Sequence, residues 1–469
     1  MAGHQRHAGG TPALLLAVLL GLQACGERPV ATEPVPLAGA AAGWNVLLLT
    51  VDTLRADRLG SFGYALRDTS PAIDNLVASG IRFDLAMAPR AITWPSLASV
   101  LTGLYPSGHG VIQNGYEFAD GLATLPKLLQ TAGYQTGAFL SNMCRANHQG
   151  WDTRYCSKSI DGRVTREAVE WAQTLDPDRP FLLWAHYFGA HPPYSNGKDL
   201  AHEVLDPDYD GWLRPKSWVL DKIMIEQTPL TDADVGYLDA LYDAAVIGTD
   251  ETIGHLLAGL EQAGRLDRTV VIFLADHGED LYDHHGYIYH ACSVYQTGLQ
   301  VPLAFVAEGL LEPGAVVGQT VELIDVAPTL LELLDLPQPD EVHGRSLVPY
   351  LERPGRPGRG RPAFSEYSKY PIHTVLADGW KLIDNPEHVY PLCFGRAPED
   401  LYPLAPVELY NLAEDPDETT NLADRYAEKV ATLQRLIEER FAGLEDRGLE
   451  QEVPEDLKEE LRALGYVAN

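Results

Sequence analysis

Four apolar runs constrain this chain more than anything else in it: NVLLLTV at 45–51, FLLWAH at 181–186, TVVIFLA at 269–275 and VPLAFV at 301–306. A strand with one wet face alternates apolar and polar residues, whereas a strand covered on both faces reads as an unbroken apolar run. These runs therefore demand helices above and below the sheet. Helical spacing supplies them at 71–79, 121–132, 164–174, 232–263 and 325–335. The expectation is an α/β fold, a large mostly parallel sheet sandwiched by helices. At 469 residues the chain exceeds the ~250–300 at which a single core stops growing, so a smaller appendage is expected. From about 363 the texture changes: FSEYSK, HTVLADGWKLI and VELYNL suit a small antiparallel sheet, and an amphipathic stretch follows from Thr419 to Leu444. The division expected is an α/β domain at 44–352, a Pro, Gly and Arg rich linker at 353–362, and a C-terminal α+β subdomain at 363–469.

The chain opens with an apolar run, Ala13 to Leu22, too short to span a bilayer, followed by small residues and Cys25. Residues 1–24 resemble a bacterial lipoprotein signal with Cys25 as the lipidated residue, and the Pro, Ala and Gly rich stretch 25–43 reads as a flexible tether. The expected location is the bacterial cell envelope, periplasm or outer membrane, with membrane contact only through that lipid. Export permits disulfides. Cys144 and Cys156 bracket a short loop and suit a local one, while Cys292 and Cys393 either pair or stay as buried thiols. With 66 Asp and Glu against 35 Lys and Arg, the net charge of −31 argues against nucleic acid as a partner. The sequence leaves the oligomeric state open.

Ligands of open parallel sheets bind beyond the carboxyl ends of the strands. After NVLLLTV comes Asp52; after TVVIFLA come Asp276 and His277; after FLLWAH comes a loop carrying His191. Two carboxylates, an imidazole and a hydroxyl at one sheet edge would suit a divalent cation, Ca²⁺, Mg²⁺ or Mn²⁺ by hardness, with one nitrogen that also suits Zn²⁺. The hydroxyl is that of Thr93, two residues before Pro95 in APRAITWPSLASVLTG. One reading makes Thr93 a helix N-cap. The other makes it a nucleophile, since a hydroxyl beside a cation loses its proton more easily and a helix N-terminus favours negative charge.

The stretches NVLLLTVDTLRADRLGSFGY, TWPSLASVLTGLYPSGHGV, AHYFGAHPPY, YDAAVIGTDETIGHLLAGLEQAGRLDRTVVIFLADHGE, VELIDVAPTLLELLDLPQPDEVHGRSLVPYL and ELYNLAEDPDETTNLA resemble the sulfatase branch of the alkaline phosphatase superfamily over residues 44–425. The resemblance implies an alkaline phosphatase-like fold and one divalent cation, Ca²⁺ favoured, held by Asp52, Thr93, Asp276 and His277. It implies Thr93 as nucleophile, His191 and His290 as auxiliary catalytic residues, and Asn114 as a contact to a non-bridging oxygen. Thr53 stands where many members carry a second metal aspartate. His186, His284 and His285 have ordinary strand-end, loop or turn readings besides.

The departures point to the ester. Active sulfatases carry Cys or Ser within C/S-x-P-x-R, the residue being oxidised to formylglycine, whereas this chain has Thr93 and Leu97 at those places. Their second signature appears as GYQTGAFLSNMC, without its lysine and histidine. Threonine cannot become the aldehyde. The arrangement is similar to superfamily members that attack phosphorus, so the expected activity is hydrolysis of a phosphate, or less readily a sulfate, ester. The alternatives are a lipid-anchored phosphotransferase and an inactive binding protein. The substrate is a small-molecule, glycan or lipid ester, selected by loops such as 192–230, where GWLRPKSW carries tryptophans suited to stacking or to packing.

Overall fold

The computed structural model describes residues 36–444 and 447, apart from 120, 145–148, 159–160, 197–203, 227, 292, 359, 368–370 and 390–403. Cys25, Cys292 and Cys393 lie outside the described residues. The strands in chain order are β1 (Asn45–Val51), β2 (Ile81–Met87), β3 (Gln135–Ser141), β4 (Thr153–Ser157), β5 (Phe181–Tyr187) and β6 (Thr269–Ala275), then a two-strand hairpin, β7 (Asp280–Leu281) and β8 (Ile288–Tyr289), then β9 (Gln300–Val306) and β10 (Ala315–Glu322). Eight of them form one sheet in the order β10-β2-β9-β6-β1-β5-β3-β4. The helices expected at 71–79, 121–132, 164–174, 232–263 and 325–335 are Pro71–Ala78, Leu125–Thr131, Asp161–Thr174, Asp232–Gln262 and Val326–Leu333. The longest begins at a capping box, in which Thr231 Oγ1 accepts from Asp234 N and the Asp234 carboxylate accepts from Thr231 N.

The sheet is mixed. The VPLAFV run lies in β9, which is antiparallel to both of its neighbours, β2 and β6, while the other neighbouring strands of this sheet are parallel. Burial on both faces makes a run apolar whichever way it points, so its composition carries no direction. Two antiparallel contacts cancel, and β2 therefore runs the same way as β6, β1 and β5. As a result the chain leaves Val51, Met87, Tyr187 and Ala275 on one edge of the sheet.

A second sheet, β11 (Ala363–Tyr367), β12 (Ile372–Ala377), β13 (Trp380–Asp384) and β14 (Val407–Asn411), is antiparallel throughout. The helix after it spans Ala427–Phe441, shorter than the amphipathic stretch from Thr419, because the Asp415 carboxylate accepts from Thr419 N and Thr420 N and folds that segment into a turn. Residues 36–43, expected as part of the tether, are packed: Leu37 and Ala41 are buried, and Gly39 N and Ala41 N donate to Glu332 O and Leu333 O. The linker run 353–362 lies against β10, where Gln319 Nε2 donates to Arg356 O at 2.6 Å and Arg361 pairs with Asp325. Among the described residues no helix is long and apolar enough to cross a membrane.

Candidate active site

Register places the two aspartates side by side. Val51 of β1 is the Cα partner of Ala275 in β6 and of Tyr187 in β5, so Asp52 and Asp276 emerge from adjacent parallel strands. Thr93 arrives from the loop after β2 as the first residue of the helix Thr93–Thr102, with Ile92 in the cap position and no side-chain cap bond. The N-cap reading of Thr93 thus gives way: of the two N–H groups a cap at Thr93 could serve, Pro95 has none and Ser96 gives its own to the Ile92 carbonyl at 3.1 Å, while the Trp94 N–H goes to Asn114 Oδ1 at 2.8 Å. Freed from capping, Thr93 Oγ1 sits 3.4 Å from Asp52 Oδ1 and 3.4 Å from His277 Nε2. The helix stops at Gly103, in the left-handed region at φ 73°, where a Cβ would come within 2.8 Å of Val342 Cγ2.

Lone pairs converge on one point. His277 Nδ1–H donates to the Gly278 carbonyl at 2.9 Å, which leaves Nε2 as an acceptor 3.5 Å from Asp52 Oδ1 and 3.6 Å from Asp276 Oδ2. Burial, with the neighbouring His290 second, holds the His277 imidazole well below its ordinary pKa, so these contacts are not ion pairs. Asp276 Oδ1 accepts from Thr53 N and His277 N, while its buried Oδ2 has no hydrogen-bond partner among the described residues. Burial pushes the Asp276 carboxyl up to about 8; burial and then repulsion from Asp276 hold Asp52 well above the carboxylate range. Such a set, with one orphaned carboxylate oxygen and one imidazole lone pair, fits a divalent cation: ligand atoms of Asp52, Asp276 and His277 all lie within 4.8 Å of one another.

Thr53, next to Asp52, has φ 57°, a rare conformation for a β-branched residue. It is held there by its N–H on Asp276 Oδ1 and by the Tyr242 hydroxyl, which donates to its carbonyl at 2.6 Å. The outlier adjoins the cation ligands, where strain of this kind tends to collect.

The auxiliary histidines form a row. His290, just after β8, has its ring centroid 4.6 Å from that of His277, and His191 lies 5.0 Å beyond His290. His191 stacks on Phe188, its Nδ1–H donates to Pro192 O at 2.8 Å, and burial pushes its pKa down to about 3. Sequence reasoning passed over Glu279, which is buried with Oε2 3.2 Å from His290 Nδ1; its position three residues after Asp276, in ADHGED, was the available signal. His284 and His285 lie elsewhere. Both ring-pair with Tyr295, and His284 bridges Asp280 and the Asp417 carbonyl. In the loop expected to select substrate, the helix Ser217–Glu226 meets the hairpin, with the Tyr289 hydroxyl donating to Asp221 Oδ1, and Trp218 stays 68% exposed, so packing does not account for it.

The model of the Sulfatase family matches residues 44–336 of this chain. The protein belongs to the sulfatase family. Its C-terminal part, residues 283–446, matches the model "N-sulphoglucosamine sulphohydrolase, C-terminal". Curated relatives include an N-acetylglucosamine-6-O-sulfatase of Bacteroides thetaiotaomicron, 24% identical with 84% of this chain and 86% of the relative covered, and an arylsulfatase of Clostridium perfringens, 24% identical with 86% and 95% covered. The phosphonate monoester hydrolase of Agrobacterium radiobacter shares the fold at a TM-score of 0.69, with 20% identity over 88% of this chain and 98% of that one. The sulfatase-family protein described here is accordingly a sulfuric or phosphoric ester hydrolase with an alkaline phosphatase-like fold. The family depends on a divalent metal, and the Asp52, Asp276 and His277 cluster is the candidate site for it.

Proposed function

We propose that this protein hydrolyses a phosphate ester, in preference to a sulfate ester, with Thr93 as the nucleophile and one divalent cation held by Asp52, Thr93, Asp276 and His277. The observation that carries the reading is the Thr93 hydroxyl, released from capping and lying 3.4 Å from both Asp52 and His277. Threonine has no route to formylglycine, and Leu97 occupies the place of the signature arginine. A phosphodiester or phosphonate monoester carries one negative charge where a phosphate monoester carries nearly two, which suits a site whose nearby side chains are neutral histidines and an amide; a sulfate ester is a monoanion as well, so the preference for phosphorus rests on Thr93 and Leu97.

The cation, when bound, supplies Lewis-acid polarisation of the ester and eases loss of the hydroxyl proton. Thr93 Oγ1 then forms a bond to phosphorus as the bond to the leaving oxygen breaks, and water later cleaves the phosphothreonine. His191 starts neutral, so the proton it delivers to the leaving oxygen is the one Thr93 gives up. Asn114 is set beside the attacked centre: its oxygen accepts the Trp94 N–H, which polarises its amino group as a donor to a non-bridging oxygen. His290, backed by Glu279, is assigned to the leaving-group side with His191. Ca²⁺ follows from the family likeness, while the His277 nitrogen also admits Mn²⁺ or Zn²⁺.

The disulfide between Cys144 and Cys156 supports an exported protein, in keeping with an envelope location and lipidation at Cys25. The decisive test assays sulfate and phosphate mono- and diesters with Ca²⁺, Mg²⁺, Mn²⁺ and Zn²⁺, beside Thr93→Ala. The variant is expected to lose at least about 10³-fold in kcat, in the range seen when a nucleophile is removed. Full turnover by Thr93→Ala, or a clear preference for sulfate, refutes the reading.

A further inference from the structure

His186 is fully buried in β5, and the mechanism above does not use it. Its Nδ1 lies 2.8 Å from Thr50 Oγ1, and Thr50 Oγ1 in turn receives the indole N–H of Trp184 at 3.0 Å. An indole nitrogen only donates, so the threonine oxygen is the acceptor there and its own proton remains to be placed. The competing acceptor, Ala185 O, is 3.5 Å away, at the limit of a hydrogen bond. The proton therefore goes to His186 Nδ1, and neutral His186 carries its hydrogen on Nε2. Among the described residues that Nε2 has no partner.

A buried, unmet N–H is costly to a fold, so such a group is kept for something that meets it. Its place indicates what. His186 is the register partner of Thr50, and Asp52 N donates to the carbonyl of the next residue, Tyr187. Side chains two apart on a strand share a face, so Thr50 and Asp52 point the same way and His186 beside Thr50 joins them. The His186 ring is also close enough for its charge to be felt at both His277 and His191.

We infer that His186, locked as the Nε2–H tautomer by the Trp184–Thr50 hydrogen-bond chain, is a neutral donor to a non-bridging oxygen of the bound tetrahedral anion. The inference rests on the proposed function for where the anion sits, yet it is testable without turnover. Protein labelled with ¹⁵N at histidine and loaded with cation is the sample, with the His186 signals assigned by their loss in His186→Gln. The resting ring is expected to be neutral with its proton on Nε2, and that proton's resonance should move on titration with inorganic phosphate. By calorimetry, His186→Phe should bind inorganic phosphate about 10-fold or more weakly, as for loss of a hydrogen bond to a charged group, with cation affinity retained. His186→Gln, which keeps an N–H near the ε position, should recover most of that loss, and Thr50→Val should mix the tautomers.

A resting proton on Nδ1, unchanged phosphate affinity in folded His186→Phe, or a His186 signal that responds to cation alone with two equivalents bound would each overturn the inference. If His186→Phe does not fold, the wild-type tautomer and the Gln variant still decide it. Thr93→Ala separates the two readings: its retention of turnover sinks the proposed mechanism alone, whereas a silent His186 under saturating phosphate sinks this inference alone.

Discussion

Asp276 keeps its two oxygens in different states, one met by two backbone N–H groups and the other buried without a hydrogen-bond partner among the described residues, and the difference has a measurable cost. With its pKa pushed from 3.8 to about 8, folded cation-free protein holds a proton across that window which the unfolded chain has released. Stability then falls as pH rises through it. The buried histidines act with the opposite sign: His277, His290 and His191 are depressed below 6.5, and they cost stability as pH drops under that value. Above about pH 6.5 the raised groups are left, the acids and His284, whose burial is outweighed by its contact with Asp280, and all of them lower stability as pH rises. In chelator, Tm should therefore decline between pH 6.5 and pH 8, and Asp276→Asn should flatten the decline, whereas saturating cation, which requires the ionised carboxylate, should remove it. A chelated wild type whose Tm is level over that range contradicts the account. For His191, whose Nδ1–H is committed to Pro192, the informative variable is the leaving group. His191→Ala should lose about 10²-fold or more in kcat on an alkyl ester, whose leaving oxygen needs a proton, and far less on a nitrophenyl ester, which does not. Equal losses on both would remove His191 from protonation of the leaving oxygen. Asp52, Asp276 and His277 were legible because each directly follows an apolar run, and parallel strands bring such positions together. Glu279 left only its place in ADHGED and the lock on His186 left nothing, since a buried partner across a strand pair leaves no mark in composition.

At the scale of elements, the strands of the large sheet read from sequence were those with long apolar runs; β3, QTGAFLS, is as deeply buried but was passed over, its apolar run cut short by Thr136, Gly137 and Ser141. The others passed over carry polar residues for local reasons: β2 contains Arg82 and Asp84, which pair with each other at 2.9 Å, and β10 contains Gly318 and Gln319, the latter bound to the linker run. The edge strand β4 was read only through its cysteine. Cys156 lies in β4 and is joined to Cys144, twelve positions earlier, on the loop that leaves β3. Arg154, also in β4, donates to the Cys144 carbonyl at 3.2 Å, so the same loop is tied twice to the edge of the sheet. Closing a loop of this size restricts the unfolded chain by about 3 kcal/mol in the chain-entropy account, and an edge strand has a neighbour on one side only. The double variant Cys144→Ser/Cys156→Ser is expected to lose about 2–3 kcal/mol in denaturant unfolding, with faster amide exchange concentrated in β4. Identical midpoints for the oxidised and reduced wild type would show that the bond contributes nothing.

At the scale of the whole molecule, the question is whether the C-terminal sheet is an appendage or a wall of the catalytic part. Its polar groups answer in the second sense. Glu366 N and Ser365 Oγ donate to the Pro89 and Ala88 carbonyls in the loop that leads to Thr93, and the Glu366 carboxylate accepts from Ser107 N and Oγ. Glu418 accepts from Gln296 N at 2.6 Å and pairs with the fully buried Lys381 at 2.7 Å, which also lies over Tyr295. Arg440, on the last helix described, reaches the Tyr105 hydroxyl and the His343 carbonyl. Cutting the chain at the 353–362 run would strand these buried donors and acceptors at about 1–3 kcal/mol each, a sum comparable to the whole stability of a domain. Calorimetry of the full chain is therefore expected to show one unfolding transition. A chain ending at residue 362 should be insoluble or lack cooperative unfolding, and should bind no cation. Two separate transitions, or a folded and cation-binding fragment, would establish instead that the catalytic part stands alone and that the C-terminal sheet is only docked on it.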